Sequence, residues 1–222
     1  MRQLRFGRRA PMSGTVRSVV VFVHGYGADG ADLLALADPF GAHLPDTLFL
    51  APDAPGRCVG GGFGRQWFPI PWLDGSSEAA AAAGLAAAAA DLNGFLDAQL
   101  LEAGIGPEAL ALVGFSQGAM MCLEVAPLRP APVAAVVAIS GRLLRPEALE
   151  AEVVSRPPVL LVHGDADPVV PFTDMAKAGQ ALRAAGFETY GHVMQGTGHG
   201  IAPDGLSVAL NFLKERLSGQ AD

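Results

Sequence analysis

The chain has 222 residues, half of them hydrophobic and only 17% charged, with a formal net charge of −7. That length suits one domain with a large buried core, and the acidic balance disfavours nucleic acid as a partner. The five scattered histidines and two cysteines, with no C-x-x-C or H-E-x-x-H pattern, make neither a metal site nor a disulfide framework.

The N-terminal MRQLRFGRR is basic, and no apolar h-region follows it, so a signal peptide is not expected. The segment fits an edge strand or a flexible tail equally well. Val19–Val23 is a short apolar run of the kind a buried parallel strand shows. It leads into His24-Gly25-Tyr26-Gly27-Ala28-Asp29-Gly30, and Thr47–Leu50 is the next strand-like run. Ala51–Gly75 is irregular, rich in Pro and Gly, and carries Phe63, Trp67, Phe68 and Trp72. A loop that long inside a compact domain is usually functional. It is expected to wall a pocket for an acyl or aryl group, with Pro69 and Pro71 fixing the directions of Phe68, Ile70 and Trp72. The same aromatics could instead pin the loop to the core, and both readings can hold at once.

An alanine-rich helix is predicted to start near Ser76 or Ser77, with Glu78 in its first turn. Leu85, Leu92, Leu96 and Leu100 fall near one face, and Gly104 is a natural stop. Gly84 interrupts its alanine run and Asp91 and Asn93 follow, so it is not read as a membrane span. Leu110–Val113, Val133–Ile139, Val159–Val162 and Phe187–Met194 are further strand-like runs. Thr173–Ala185, stopped by Gly186, and Asp204–Leu217 are helical. This βα alternation, with no linker or repeat, predicts one α/β domain over residues 1–222. Its sheet should be doubly wound and mostly parallel, with helices on both faces. The isolated thiols Cys58 and Cys122, with no signal peptide expected, suit a cytoplasmic protein. The oligomeric state, a homodimer included, is left open.

The most informative stretch is ALALVGFSQGAMMC, Ala109–Cys122. It contains Gly114-Phe115-Ser116-Gln117-Gly118, the G-x-S-x-G pattern of a nucleophile elbow. The pattern alone is weak in a chain with 28 glycines. Here an apolar strand precedes it and a helix follows, which is the context such an elbow needs. The alternative is an ordinary βα turn with a surface serine. A serine nucleophile needs a base, and the base needs an orienting acid. His199 lies in a Gly-rich loop between the last strand and the final helix, where it can reach a serine. His24 and His163 each end a strand before a glycine and are expected to hold loops through ring hydrogen bonds. His43 and His192 have no neighbouring chemistry.

Chain order then puts the acid in His163-Gly164-Asp165-Ala166-Asp167-Pro168, between serine and histidine. We favour Asp167, further out on the loop, and give Asp165 a turn-capping role. Two backbone N–H groups complete the set as an oxyanion hole: that of Gln117, after the nucleophile, and that of Tyr26 in the early Gly-rich loop. Each such donor lowers the barrier by about 2.7–4 kcal/mol.

HGYGADG, GFSQGA, HGDADPVVP and TGHGI together resemble the phospholipase/carboxylesterase family of α/β-hydrolases. The resemblance runs from about Val19 to about Leu217, with the motifs in family order. It implies the α/β-hydrolase fold, a triad on Ser116, Asp167 and His199, and oxyanion donors on Tyr26 and Gln117. The family more often has leucine where this chain has Tyr26, which makes the pocket wall there larger and more polar. FGRQWFPIPWL, Phe63–Leu73, resembles the family's variable loop but is expanded and proline-rich, so substrate preference does not carry over. The expected chemistry is two-step acyl transfer to water without a cofactor. The leading substrate is a small-molecule ester with a short to medium acyl or aryl group. Alternatives are a thioesterase or lysophospholipase for longer chains, and a catalytically silent binding module, against which the complete triad argues.

Overall fold

Short apolar runs separated by helices give this chain its layers. The computed structural model describes residues 2–58 and 64–217. In chain order the strands are β1 (Phe6–Arg9), β2 (Ser18–Val23), β3 (Thr47–Pro52), β4 (Gly56–Arg57), β5 (Arg65–Gln66), β6 (Leu110–Phe115), β7 (Ala135–Ile139), β8 (Val159–Gly164) and β9 (Thr189–Met194). The helices are α1 (Gly30–Leu34), α2 (Ala37–Gly41), α3 (Pro71–Asp74), α4 (Glu78–Ala103), α5 (Gln117–Val125), α6 (Pro146–Glu152), α7 (Thr173–Ala184) and α8 (Pro203–Leu217).

Seven strands form one sheet in the order β1-β3-β2-β6-β7-β8-β9. All neighbours are parallel except β1, which pairs antiparallel with β3. The basic N-terminus is therefore an edge strand, one of the two forms its sequence allowed. Side chains of β2 alternate between two cores. Val19, Val21 and Val23 pack with Leu92 and Leu96 of α4 and Met121 of α5. Val20 and Phe22 pack with Leu33 of α1, Phe40 of α2 and Leu213 of α8. Both faces of the sheet are thus covered, which is why its strands read as continuous apolar runs.

α4 begins where the sequence marks it, with the Ser77 hydroxyl accepting from the Ala80 N–H at 3.1 Å. It ends on Gly104, whose φ of 67° is left-handed. By length and composition it is the one helix among the described residues able to cross a membrane. Here Leu92, Leu96 and Leu100 are buried against the sheet. Buried Asp91 accepts from the Arg2 backbone N–H at 2.6 Å and its Nε at 2.7 Å, tying the N-terminal segment down.

Two departures from the expected elements have local reasons. β9 starts at Thr189, because Phe187 still belongs to the end of α7, its N–H bonding the Leu182 carbonyl beyond left-handed Gly186. The Ala51–Gly75 stretch is less irregular than expected. It contains the end of β3, the β4–β5 ladder and the single turn of α3, which Pro71 opens at its first position.

Strand order reverses between β2 and β6: β3 and β1 lie to one side, β7 to β9 to the other. In open α/β sheets, the crevice beyond the carboxyl ends of strands at such a reversal is where ligands bind.

Candidate active site

At that reversal β6 turns into α5 through Ser116, which has φ 54° and ψ −117°. Non-glycine residues held in such sparsely populated backbone regions cost about 1–3 kcal/mol and cluster at functional sites. The sharp turn requires contacts that only glycine permits. A Cβ at Gly118 would lie 1.8 Å from the Val23 carbonyl oxygen, and one at Gly114 2.4 Å from the Gly118 carbonyl oxygen. The elbow is held from β7 as well, since the Ser116 N–H donates to the Ile139 carbonyl at 2.8 Å.

The Ser116 hydroxyl is 2.9 Å from Nε2 of His199, and His199 Nδ1 is 2.7 Å from Oδ2 of Asp167. A carboxylate is an acceptor only, so the imidazole carries its proton on Nδ1 and leaves Nε2 free to accept from the serine. The Asp167 side chain is fully shielded from solvent. Burial works against its charge, but hydrogen bonds from His199 and from the Val169 and Val170 N–H groups outweigh it and hold the carboxyl below its ordinary value. Asp165 does something else: its Oδ1 accepts from the Gly196 N–H at 2.7 Å, fastening the loop that carries His199.

The other strand-end histidines do hold loops. His24 accepts from the Ala54 N–H at Nε2 (2.9 Å), and Nδ1 lies 2.7 Å from its neighbour's carbonyl at Gly25. Burial pushes its pKa below the usual histidine value. His163 places Nε2 3.0 Å from the Val170 carbonyl and 3.3 Å from Asp167 Oδ2. His192, for which the sequence offered no neighbour, pairs with Asp204 at 2.7 Å away from this site.

Tyr26 lines the cleft from the β2–α1 loop, and buried Gln117 follows Ser116 at the start of α5. Gln117 opens α5, so its N–H has no carbonyl one turn back. In the β2–α1 loop, Gly27 donates to Arg65 and Ala28 to Gly25, while the Tyr26 N–H has no acceptor among the described residues. The loop runs close to the elbow, since a Cβ on Gly25 would be 3.2 Å from the Ser116 Cβ. The Gln117 side chain has a separate task. It accepts from the Trp67 N–H and donates to the Phe68 carbonyl, both at 2.8 Å.

That clamp explains a correction. Trp67, Phe68 and Trp72 do not line the described cleft at Ser116. Trp67 and Phe68 are buried in the core, the indole N–H of Trp67 donating to the His24 carbonyl at 2.9 Å. With its backbone drawn onto α5, this part of the loop has its Trp67 and Phe68 side chains buried in the core. Trp72 is exposed on α3 under the Arg142 guanidinium, 5.0 Å from the ring centroid. Phe63 lies outside the described residues.

The cleft measures about 380 Å³, and its apolar wall comes from Tyr26, Ala28, Leu33, Phe115 and Ile201, with Asp32 at α1 also lining it. The Phe115 ring is 5.0 Å from that of His199. Sequence reasoning missed most of these. Phe115 and Ile201 could have been found as immediate neighbours of Ser116 and His199 on their motifs. Leu33 and Asp32 carried no signal beyond following the Gly-rich loop. Among the described residues no cluster of His, Cys, Asp and Glu could hold a metal ion.

Comparison with known proteins agrees with this architecture. The family model for phospholipase/carboxylesterase matches residues 10–217. Acyl-protein thioesterase 1 of Saccharomyces cerevisiae is 31% identical, covering 91% of this chain and 94% of its own length. Esterase YpfH of Escherichia coli is 26% identical, covering 89% of this chain and 82% of its own length. The crystal structure of esterase PE8 superposes with a TM-score of 0.92 at 45% identity, over 97% of this chain and all of that one. The chain belongs to the phospholipase/carboxylesterase family, and with it to the ester hydrolases of the α/β-hydrolase fold.

Proposed function

We propose that this protein is a serine carboxylic ester hydrolase that works on short to medium acyl or aryl esters, through Ser116, His199 and Asp167. The observation that carries the reading is the continuous hydrogen-bonded series from Ser116 Oγ through the His199 ring to Asp167, at 2.9 and 2.7 Å. His199 Nε2 takes the serine proton as Oγ bonds to the ester carbonyl carbon. The carbonyl oxygen becomes an oxyanion, and the Tyr26 and Gln117 N–H groups receive it. Collapse of that intermediate expels the alcohol, which leaves with the proton held on His199. Water then attacks the acyl-serine with His199 again as base, and the carboxylic acid departs. Asp167 keeps the imidazole in the required tautomer throughout.

A cleft of about 380 Å³ supports the short-to-medium range, being near the lower end of ligand pockets. Thioester hydrolysis is a second reading, favoured by the thioesterase name of the yeast relative. A cytoplasmic setting is part of the proposal, supported by the two free thiols Cys58 and Cys122. The test has two arms. A fluorophosphonate should label Ser116 alone, mapped by mass spectrometry, and Ser116→Ala should lose turnover by about a millionfold. Oxoesters and thioesters matched from two to sixteen carbons, compared by kcat/KM, separate the two substrate readings. Stoichiometric labelling of another serine, or normal turnover by Ser116→Ala, would overturn the assignment.

A further inference from the structure

The cleft at Ser116 is not electrically neutral. Asp32, an exposed residue in the first turn of α1, is the one carboxylate in its lining, and no lysine or arginine lines it among the described residues. The nearby acids are already engaged. Asp29 caps α1 by accepting from the Ala31 N–H at 2.9 Å. Asp53 accepts from the Gly30 N–H at 3.0 Å and faces the Arg65 guanidinium at 3.7 Å. Asp32 has no ion-pair partner among the described residues. His24, on the same wall, is kept neutral by burial and by its bond from Ala54. Two aromatic side chains, Tyr26 and Phe115, line the same space.

A lone carboxylate in a concave, partly apolar space focuses negative potential where a substrate must lie. Aromatic faces beside it attract an organic cation, above all a quaternary ammonium. The net charge of −7 adds a long-range field of the same sign. From this we infer that Asp32 selects the charge of the substrate: the cleft favours esters that carry an ammonium group on the arm lying toward α1, and disfavours esters that carry a carboxylate there. The inference rests on the proposed esterase reading and adds a substrate class to it.

The experiment uses three butyrate esters of matched shape. One alcohol is choline, one is its uncharged dimethylbutyl isostere, and one is a hydroxy acid. A second trio carries the same charges on the acyl arm with a common alcohol, so the arm that meets Asp32 is identified. In one trio, kcat/KM for the cation should exceed that of the isostere by about fivefold, the upper range for an exposed charge pair. The anion should fall below the isostere. Asp32→Asn should bring the cation-to-isostere ratio most of the way to one, Asp32→Lys should invert it, and high salt should move the ratios of both the parent and Asp32→Lys toward one. A ratio of one in both trios for the parent, or an unchanged ratio in Asp32→Asn, overturns the inference. If no ester is hydrolysed and no fluorophosphonate adduct forms, the esterase reading fails by itself. Calorimetric binding of tetramethylammonium to parent and Asp32→Asn then still decides: equal affinity in both overturns the role of Asp32, and weaker binding by the variant supports it.

Discussion

The same tripeptide, Val-His-Gly, stands at the ends of two strands of this sheet, and the two histidines work in opposite tautomers. β2 ends at Val23 with His24-Gly25 directly after it, and β8 runs through Val162-His163-Gly164. Both rings are about 1% exposed. His24 accepts the Ala54 N–H at Nε2, so its proton sits on Nδ1 and donates to the Gly25 carbonyl. His163 points Nε2 at two acceptors, the Val170 carbonyl and the Asp167 carboxylate, so its proton sits on Nε2. One ring accepts and shapes the loop that carries Tyr26. The other donates and braces the acid beside His199. A strand-end histidine is thus a programmable joint: the partner offered by the facing loop decides whether it gives or takes a hydrogen.

The largest effect should appear at the β8 end. Asp167→Asn replaces an acceptor with an amide that can turn an N–H toward His199, favouring the wrong tautomer. kcat should fall by about ten-thousandfold, as such a lesion does in serine proteases. Asp165→Asn keeps an acceptor for the Gly196 N–H, and its kcat should stay within about tenfold of the parent. Steady-state kinetics on one ester, with folding checked by circular dichroism, compares them. Reversed losses in two well-folded variants would exchange the roles of the two aspartates.

At the β2 end the damage should be to stability first. His24→Leu leaves the Ala54 N–H, on a fully buried residue, without its acceptor. An unsatisfied buried donor costs about 1–3 kcal/mol. The urea midpoint should drop by a corresponding amount with an unchanged slope. A midpoint equal to the parent's would mean that Ala54 finds another partner and that His24 is not a fastening.

How much of this was legible follows from where the information sits. Ser116, Asp167 and His199 lie in short local motifs, and the hydrogen bonds that join them in the structure link the residues those motifs single out. The strands were legible because a sheet covered on both faces must be apolar at every position, as Val19–Val23 is. The aromatic loop was not. Whether Trp67 faces a pocket or the core depends on Gln117, fifty positions away, offering both groups of its amide to the Trp67 and Phe68 backbone. No local pattern encodes that clamp. Asp32 was invisible for the same reason, since a carboxylate in a helix's first turn reads as ordinary dipole pairing until the fold sets it in the lining of the cleft that holds Ser116.

A smaller effect should follow from His163→Phe, which keeps the ring but removes the donor facing Val170 and Asp167. Asp167 retains the Val169 and Val170 N–H bonds and His199, so the triad stays assembled but less firmly braced. kcat should fall by about tenfold, the equivalent of 1.4 kcal/mol, with KM nearly constant. A fall in KM affinity without a change in kcat would place His163 on the binding side instead.

The smallest effect separates the two histidines by pH. Protonating His24 would set an N–H against the Ala54 N–H in a buried site, and burial holds its folded pKa below the ordinary 6.5. The unfolded chain takes up the proton near that ordinary value, and the folded chain refuses it until lower pH. Below 6.5 the unfolded state therefore binds more protons, and stability must decline as pH falls. Urea midpoints of the parent, measured between about pH 7.5 and 5.5, should fall toward the acid end. His24→Asn, which lacks the titrating ring, should start from a lower midpoint but show a shallower decline over the same interval. The difference between the two slopes isolates His24 from every other group that titrates in that window. Parallel slopes would mean that the His24 ring accepts its proton in the folded state, which requires the Ala54 loop to open. That outcome would move His24 from the class of fixed fastenings to that of hinges, and it would be visible as faster amide exchange at Ala54 on the acid side.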